Sequence, residues 1–192
     1  MKKWFMFWFH SVNKDAFDLH QYFHRTSSKT KEITFTAFLG ALAAIFQSAG
    51  GFMPGVGYFF SPIATVPIVL GTIYSIHSGL LAYLLSIVLL MIIQPSEIII
   101  FPFTTGLLGL GIGVGFVYLK KRITILALAS FLLFAGIAIL LYGFRFPLFG
   151  PSIKSTITII NIVYIYLFSF FYSWLWVEIS LIYCRKLRIM LD

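Results

Sequence analysis

Charge is scarce in this 192-residue chain. Asp, Glu, Lys and Arg make up 10% of it, where a soluble domain carries about 25%. A surface so poor in charge cannot keep a monomer in solution, which excludes a soluble enzyme. The 60% hydrophobic content excludes a disordered chain. Nucleic acid is excluded as a partner on the same grounds, despite a net charge of +8. Cysteine is nearly absent: Cys184 alone can form neither an internal disulfide framework nor a cysteine zinc site. No Asp lies between Asp18 and Asp192, so no Ser-His-acid set can be assembled within a membrane. The chain also lacks a Gly-x-x-x-x-Gly-Lys-Ser/Thr loop, so ATP hydrolysis of its own is not expected. We expect no catalytic activity, no cofactor and no metal.

Aromatic residues, by contrast, are abundant at 19%, with 22 Phe, and lipid is the solvent that suits them. The charges that exist cluster. Residues 33–96 carry none, and Ile98–Leu119, Ile123–Phe144 and Ser155–Val177 are also free of charge. A spanning helix needs about 20 apolar residues, so each short run makes one span. Gly50–Gly57, with Pro54, and Ser75–Gly79 divide the long run. This predicts helices near Ile33–Ser48, Phe60–Tyr74, Gly79–Ile93, Ile98–Leu119, Ile123–Tyr142 and Ser155–Tyr183. The expected fold is an all-α, polytopic membrane protein with six transmembrane helices.

Basic residues gather on cytoplasmic loops. Lys2, Lys3, Lys14, Arg25, Lys29 and Lys31 precede the first span, and Arg185, Lys186 and Arg188 follow the last. An even number of spans puts both ends inside, together with Lys120-Lys121-Arg122. Only Arg145 and Lys154 then fall outside. Residues 1–31 form a basic, aromatic N-terminal segment, 32–184 the membrane domain and 185–192 a basic tail. Trp4–Phe9 is too short for a signal core. It reads as an interfacial anchor, or alternatively as a mobile tail. A multi-pass protein of a bacterial inner membrane is the expected setting.

Several features carry candidate roles. Gly109/Gly113 and Gly111/Gly115 are four residues apart, and they leave two faces on which other helices can approach closely. The spacing of His20 and His24 suits a shared metal, but a solvated interfacial helix is the simpler reading. In the first span, Ala37/Ala41 and Gly40/Ala44 form two small-residue pairs. They serve either packing within the bundle or docking of a partner subunit. The stretch Gly50–Ser61, rich in glycine and aromatic rings, is either a lid over a ligand or an interfacial aromatic belt. Polar groups expected at the outer side are few. Tyr58, Glu97, Arg145, Asn161 and Tyr164 are the candidate ligand contacts, with interface anchoring as the alternative for each. Glu97 and Glu178 are the only acids near the spans. Without an ion relay in the bundle, an autonomous proton-driven carrier is not expected.

Taken together, six spans, Ala37/Ala41, the loop Gly50–Pro62 and Pro67–Gly71 running into Gly79–Ala82 resemble the substrate-binding S component of energy-coupling-factor vitamin transporters. The resemblance covers roughly Lys31 to Arg188. It implies a binder of a small micronutrient at the outer face. It also implies a transmembrane coupling subunit docked on Ala37 and Ala41, two cytoplasmic ATPases as the energy source, and Gly50–Ser61 as the lid. The alternative is a non-transporting membrane protein with a structural or regulatory interaction role.

Overall fold

The computed structural model describes residues 14–26, 28–53, 55–146, 148 and 158–191. The aromatic stretch Trp4–Phe9, Lys154, and the side chains of Asp15, His24 and Arg25 lie outside the described residues. There are seven helices, with no strand among the described residues. A short amphipathic helix, α1 (Lys14–Thr26), precedes six helices that are long and apolar enough to cross a membrane. These are α2 (Lys29–Phe52), α3 (Gly57–Tyr74), α4 (Ile76–Ile93), α5 (Glu97–Tyr118), α6 (Arg122–Gly143) and α7 (Ile159–Leu191).

Most helix ends have a local cause. Ser28, in extended backbone, accepts the Lys31 N–H and starts α2, with Glu32 in its first turn. Ser75 alone, at φ −158° and ψ 140°, separates α3 from α4. The break expected across Ser75–Gly79 is therefore one residue, and Gly79 lies inside α4. Pro62 turns Ser61–Ala64 of α3 into a 3-10 segment, and Pro102 does the same to Phe101–Phe103 of α5. The Tyr83 hydroxyl on α4 donates to the Pro102 carbonyl at 3.1 Å, so the irregular backbone is satisfied by a neighbouring helix rather than left to lipid. At its far end α6 loosens into a π turn, Ile139–Gly143. Arg145, at φ 54°, then reverses the chain, and the Phe146 N–H reaches the Leu140 carbonyl at 2.9 Å.

The long connection expected at Gly50–Ser61 is much shorter in the structure. Helix α2 continues through Gly50 and Gly51 to Phe52, and α3 begins at Gly57. Only residues 53–56 connect them. A Cβ on Gly57 would collide with the Ala49 carbonyl, so the start of α3 is laid against the end of α2 where only glycine fits.

Hydrophobicity does not drive helices together in lipid; close packing and interhelical hydrogen bonds do. Helix α5 supplies the packing. Gly109 faces Ile68 and the Thr65 carbonyl of α3, and Gly113 faces Thr72. On its other side Gly111 meets Leu132 and Gly115 meets Ile125, both of α6. Both expected glycine faces are thus occupied, by two different helices. Thr72, fully buried, is held between Gly113 of α5 and Gly79 of α4. Two apolar clusters meet along α3 and α5. One joins them to α1, α6 and α7, the other to α2 and α4.

Helices α1 and α7 meet at one end of the bundle. Arg188 of α7 pairs with Asp18 of α1 at 3.1 Å, and Arg122 at the start of α6 pairs with Glu178 of α7 at 3.3 Å. We refer to this as the terminal end. Gln94, Glu97 and Arg145 lie at the opposite, loop end. Outward-facing residues such as Ile92, Phe131 and Ile159 are exposed and apolar, as a lipid-facing surface requires. Helix α7, at 33 residues, spans about 50 Å at about 1.5 Å per residue. It overshoots a hydrocarbon core of about 30 Å, and its excess carries the basic residues Arg185, Lys186 and Arg188.

Candidate functional site

Among the recesses lined by described residues, one at the loop end is built around charge. It has a volume of about 270 Å³ and lies among α2, α3, α5, α6 and α7. Its polar wall comes from Gln47 of α2 and from Glu97, Thr104 and Thr105 of α5. Leu133 and Ile137 of α6, Leu148, and Phe168 and Tyr172 of α7 form the apolar wall. Tyr58, Ser61 and Pro62, in the first turns of α3, complete it.

A directed hydrogen-bond chain fixes the polar wall. The Thr105 hydroxyl donates to Gln47 Oε1 at 2.7 Å, and Gln47 Nε2 donates to Glu97 Oε2 at 2.7 Å. Glu97 is 7% exposed and Gln47 1%. An ionised carboxylate only accepts hydrogen bonds, so it sets the orientation of the amide, and the amide sets that of the threonine. The chain ties Gln47 of α2 to two positions on α5, fifty and more residues on in sequence. Glu97 Oε1 has no hydrogen-bond partner among the described residues, and none of the described cations pairs with this carboxylate.

The irregular backbone explains how the cavity arises. Straight helices packed on glycine leave no room, but α3 and α5 both begin with a short helical turn and a proline-bearing 3-10 segment. These openings set Ser61, Pro62, Ile100 and Thr104 around a gap that a regular helix would close. The Thr104 hydroxyl is returned to the Ile100 carbonyl at 2.7 Å, which ties the distorted turn to itself.

Of the five expected contact residues, the structure brings two together. Tyr58 and Glu97 both line the cavity. Arg145 is exposed in the turn after α6, and its backbone conformation closes that helix. Asn161 and Tyr164 lie on the first turns of α7 outside the lining, with Tyr164 61% exposed. Reasoning on the sequence passed over Gln47, Thr105, Phe168 and Tyr172. The first had a signal: Gln47 is the only Asn or Gln between Ile33 and Ile93, and amides are rare within spans.

Two further recesses are open grooves. One, of about 580 Å³, lies at the terminal end between α1 and α2, where Phe23, Phe35 and Tyr74 form a ring cluster with centroids 4.8 to 6.4 Å apart. The other runs between α2 and α4, past Glu32, Ala37, His77 and Ser78. There the Ser78 hydroxyl donates to Glu32 at 2.7 Å. The two small-residue pairs of α2 have parted. Gly40 is buried against Ala82 and Leu85 of α4, and Ala44 is fully buried, so this pair packs the bundle. Ala37 is exposed and Ala41 half-buried, on the side left open. His20 directs Nδ1 to the Ile73 carbonyl at 2.7 Å, and no group of three potential metal ligands forms among the described residues.

No protein-family model, curated protein or solved structure matches the chain. The site therefore rests on its own geometry.

Proposed function

We propose that this protein is a solute-binding membrane subunit. It captures a small micronutrient in the loop-end cavity and depends on a coupling subunit and cytoplasmic ATPases for energy, as the S components of energy-coupling-factor transporters do. The observation that carries this reading is the cavity itself. A buried, hydrogen-bonded Thr105–Gln47–Glu97 chain faces aromatic rings in a recess bounded by five spans. Small-molecule sites are mostly apolar, with a few placed polar groups that fix orientation. A purely structural bundle has no need to bury an acid there, and ionisable groups at membrane depth commonly mark a ligand path.

The charge distribution supports an outward-facing cavity. Lys29, Lys31, Lys120, Lys121, Arg122, Arg185, Lys186 and Arg188 lie at the terminal end, which by the positive-inside rule is cytoplasmic. Exposed Phe52, Met53, Tyr58 and Phe59 then sit around the outer mouth, where a short segment can act as a lid. On the cytoplasmic half, the open Ala37/Ala41 side suits the coupling subunit.

Affinity purification in mild detergent tests this, with identification of co-purifying subunits and small molecules. An ATPase pair recovered with wild type and lost with Ala37→Leu/Ala41→Leu supports the reading. A folded, active-looking preparation with no bound subunit and no thermal stabilisation by any vitamin tested would sink it. It would leave a non-transporting interaction role, for which the broad apolar outer face of α7 is the available surface.

A further inference from the structure

We infer that the solute is a small organic cation, with one positive charge on a flat and largely apolar body. This rests on the solute-binding reading and names the class of solute. The charge would sit on Glu97, and the body against Tyr58, Phe168 and Tyr172.

The argument starts from what Glu97 lacks. It is buried, and one oxygen takes the Gln47 amide. The other has no hydrogen-bond partner among the described residues, and no described Lys, Arg or His reaches the carboxylate. Buried carboxylates are stable when paired and hydrogen-bonded. The protein supplies half of that to Glu97. The missing half is a cation or a cationic donor entering from the cavity.

The rest of the lining discriminates. Gln47 gives one amide N–H to Glu97 and its carbonyl accepts from Thr105, and Thr104 donates to the Ile100 carbonyl. No lysine, arginine or histidine among the described residues lines the recess. A carboxylate or phosphate ligand would therefore meet an uncompensated negative charge and find no cationic partner. A neutral ligand would leave the Glu97 charge as it was. Aromatic faces attract cations through their ring quadrupole, most strongly where water is excluded, and three rings border this cavity. A volume of about 270 Å³ admits one ring with a short substituent. It is far larger than a bare sodium or potassium ion.

The test uses the full chain in lipid nanodiscs, with thermal unfolding and titration calorimetry. The probes are benzylammonium and N-methylpyridinium, their neutral counterpart benzyl alcohol, the anion benzoate, and sodium and potassium chloride. At least one organic cation should bind tenfold or more tightly than benzyl alcohol, and benzoate should not bind. Glu97→Gln, which keeps an acceptor for the Gln47 amide, should abolish the preference. Tyr58→Ala, at an exposed position, should weaken cation binding about threefold or more without changing the unfolding temperature of the empty protein. Equal binding of benzyl alcohol, binding of benzoate, a response to sodium or potassium alone, or no binding by either organic cation would overturn the inference. Wild-type protein decides the matter even where Glu97→Gln fails to fold. Partner recovery is scored separately. Cation binding without ATPases leaves this inference standing and removes the transporter reading. ATPases recovered with a neutral or anionic solute do the reverse.

Discussion

Helix α5 is two different objects joined at Thr104. From Thr105 onward it is a packing rod, whose glycines admit α3 on one side and α6 on the other with no space to spare. Before Thr104 it is broken by Pro102 and opens a cavity, with a carboxylate at its first residue. The rod needs the absence of side chains, and the broken half needs particular ones. In lipid these two devices, close backbone approach and interhelical hydrogen bonding, are the main sources of specificity available to a bundle. Close packing holds both halves, since Phe103 of the broken half lies on Gly136 of α6, but the candidate site's polar groups belong to the broken half and its junction. Substitutions can separate them.

The largest effect is expected where backbone meets backbone. A Cβ at Gly136 of α6 would fall on the Phe103 carbonyl, and a carbonyl cannot swing aside as a side-chain tip can. Overpacking typically costs about 1–3 kcal/mol, and this site belongs at or above the top of that range. Gly136→Ala should give protein that aggregates or unfolds at much lower temperature in detergent. Gly143→Ala is the control: its nearest neighbour is Ile139 Cγ2 at 3.8 Å, and the unfolding temperature should hardly change. Equal behaviour of the two would show that the bundle is not closed by glycine contact.

Next comes the polar half. Glu97→Ala leaves the Gln47 amide buried without its acceptor, which costs about 1–3 kcal/mol. Glu97→Gln restores an acceptor and should recover most of the unfolding temperature while still losing cation selectivity. A double substitution with Gln47→Ala should cost less than the sum of the two single ones, because the residues share one bond. Additive losses would dissolve the chain.

How much of this was legible depends on what each residue type means in lipid. The number of spans could be read because charged residues bound the short apolar runs, and the breakers at Gly50–Gly57 and Ser75–Gly79 divide the uncharged residues 33–96. Boundaries were harder, because Gly50 and Gly51 read as helix breakers, yet they continue α2. Glycine loosens a helix in water, whereas beside another helix it is a surface, and Gly57 on Ala49 uses it so. Within the site, Glu97 stood out for its charge. Gln47 did not, since a single amide in an apolar run carries no sign of its partner fifty residues on. For α7, helical phase decided: Tyr164 points out while Ile165, one residue later, is buried, and the helix presents Phe168 and Tyr172 to the cavity. Nearness to a loop said nothing about that phase.

The two pairs on α2 sharpen the contrast at a smaller scale. A Cβ at Gly40 would come within 2.9 Å of the Leu85 side chain and 3.0 Å of the Ala82 carbonyl. Gly40→Ala should therefore cost about 1 kcal/mol, at the lower end for overpacking, since the leucine tip can yield. Ala37→Leu, on the open side, should stay within about 0.5 kcal/mol of wild type. If the solute-binding reading holds, it should nevertheless reduce recovery of the coupling subunit. Destabilisation by Ala37→Leu in the isolated chain would mean that this side is already occupied by the bundle.

The smallest effect is expected at the terminal end, where Asp18 and Arg188 join α1 to the overhanging part of α7. Both side chains are about a third exposed, at 38% and 34%. Water and salt therefore screen most of their attraction, and such pairs are worth about 0–1 kcal/mol. Asp18→Asn keeps the size and the helix while removing the charge. It should lower the unfolding temperature marginally, and the loss should fade as salt is raised towards about 1 M, where the screening length is about 3 Å. Arg122 and Glu178 provide the comparison within the same end, with Arg122 only 10% exposed. Glu178→Gln removes the carboxylate beside a more deeply buried guanidinium, so its larger penalty should persist at high salt. A loss for Asp18→Asn equal to that for Glu178→Gln, and insensitive to salt, would mean that α1 is not a helix resting on the bundle surface. It would instead be as integral to the fold as α6.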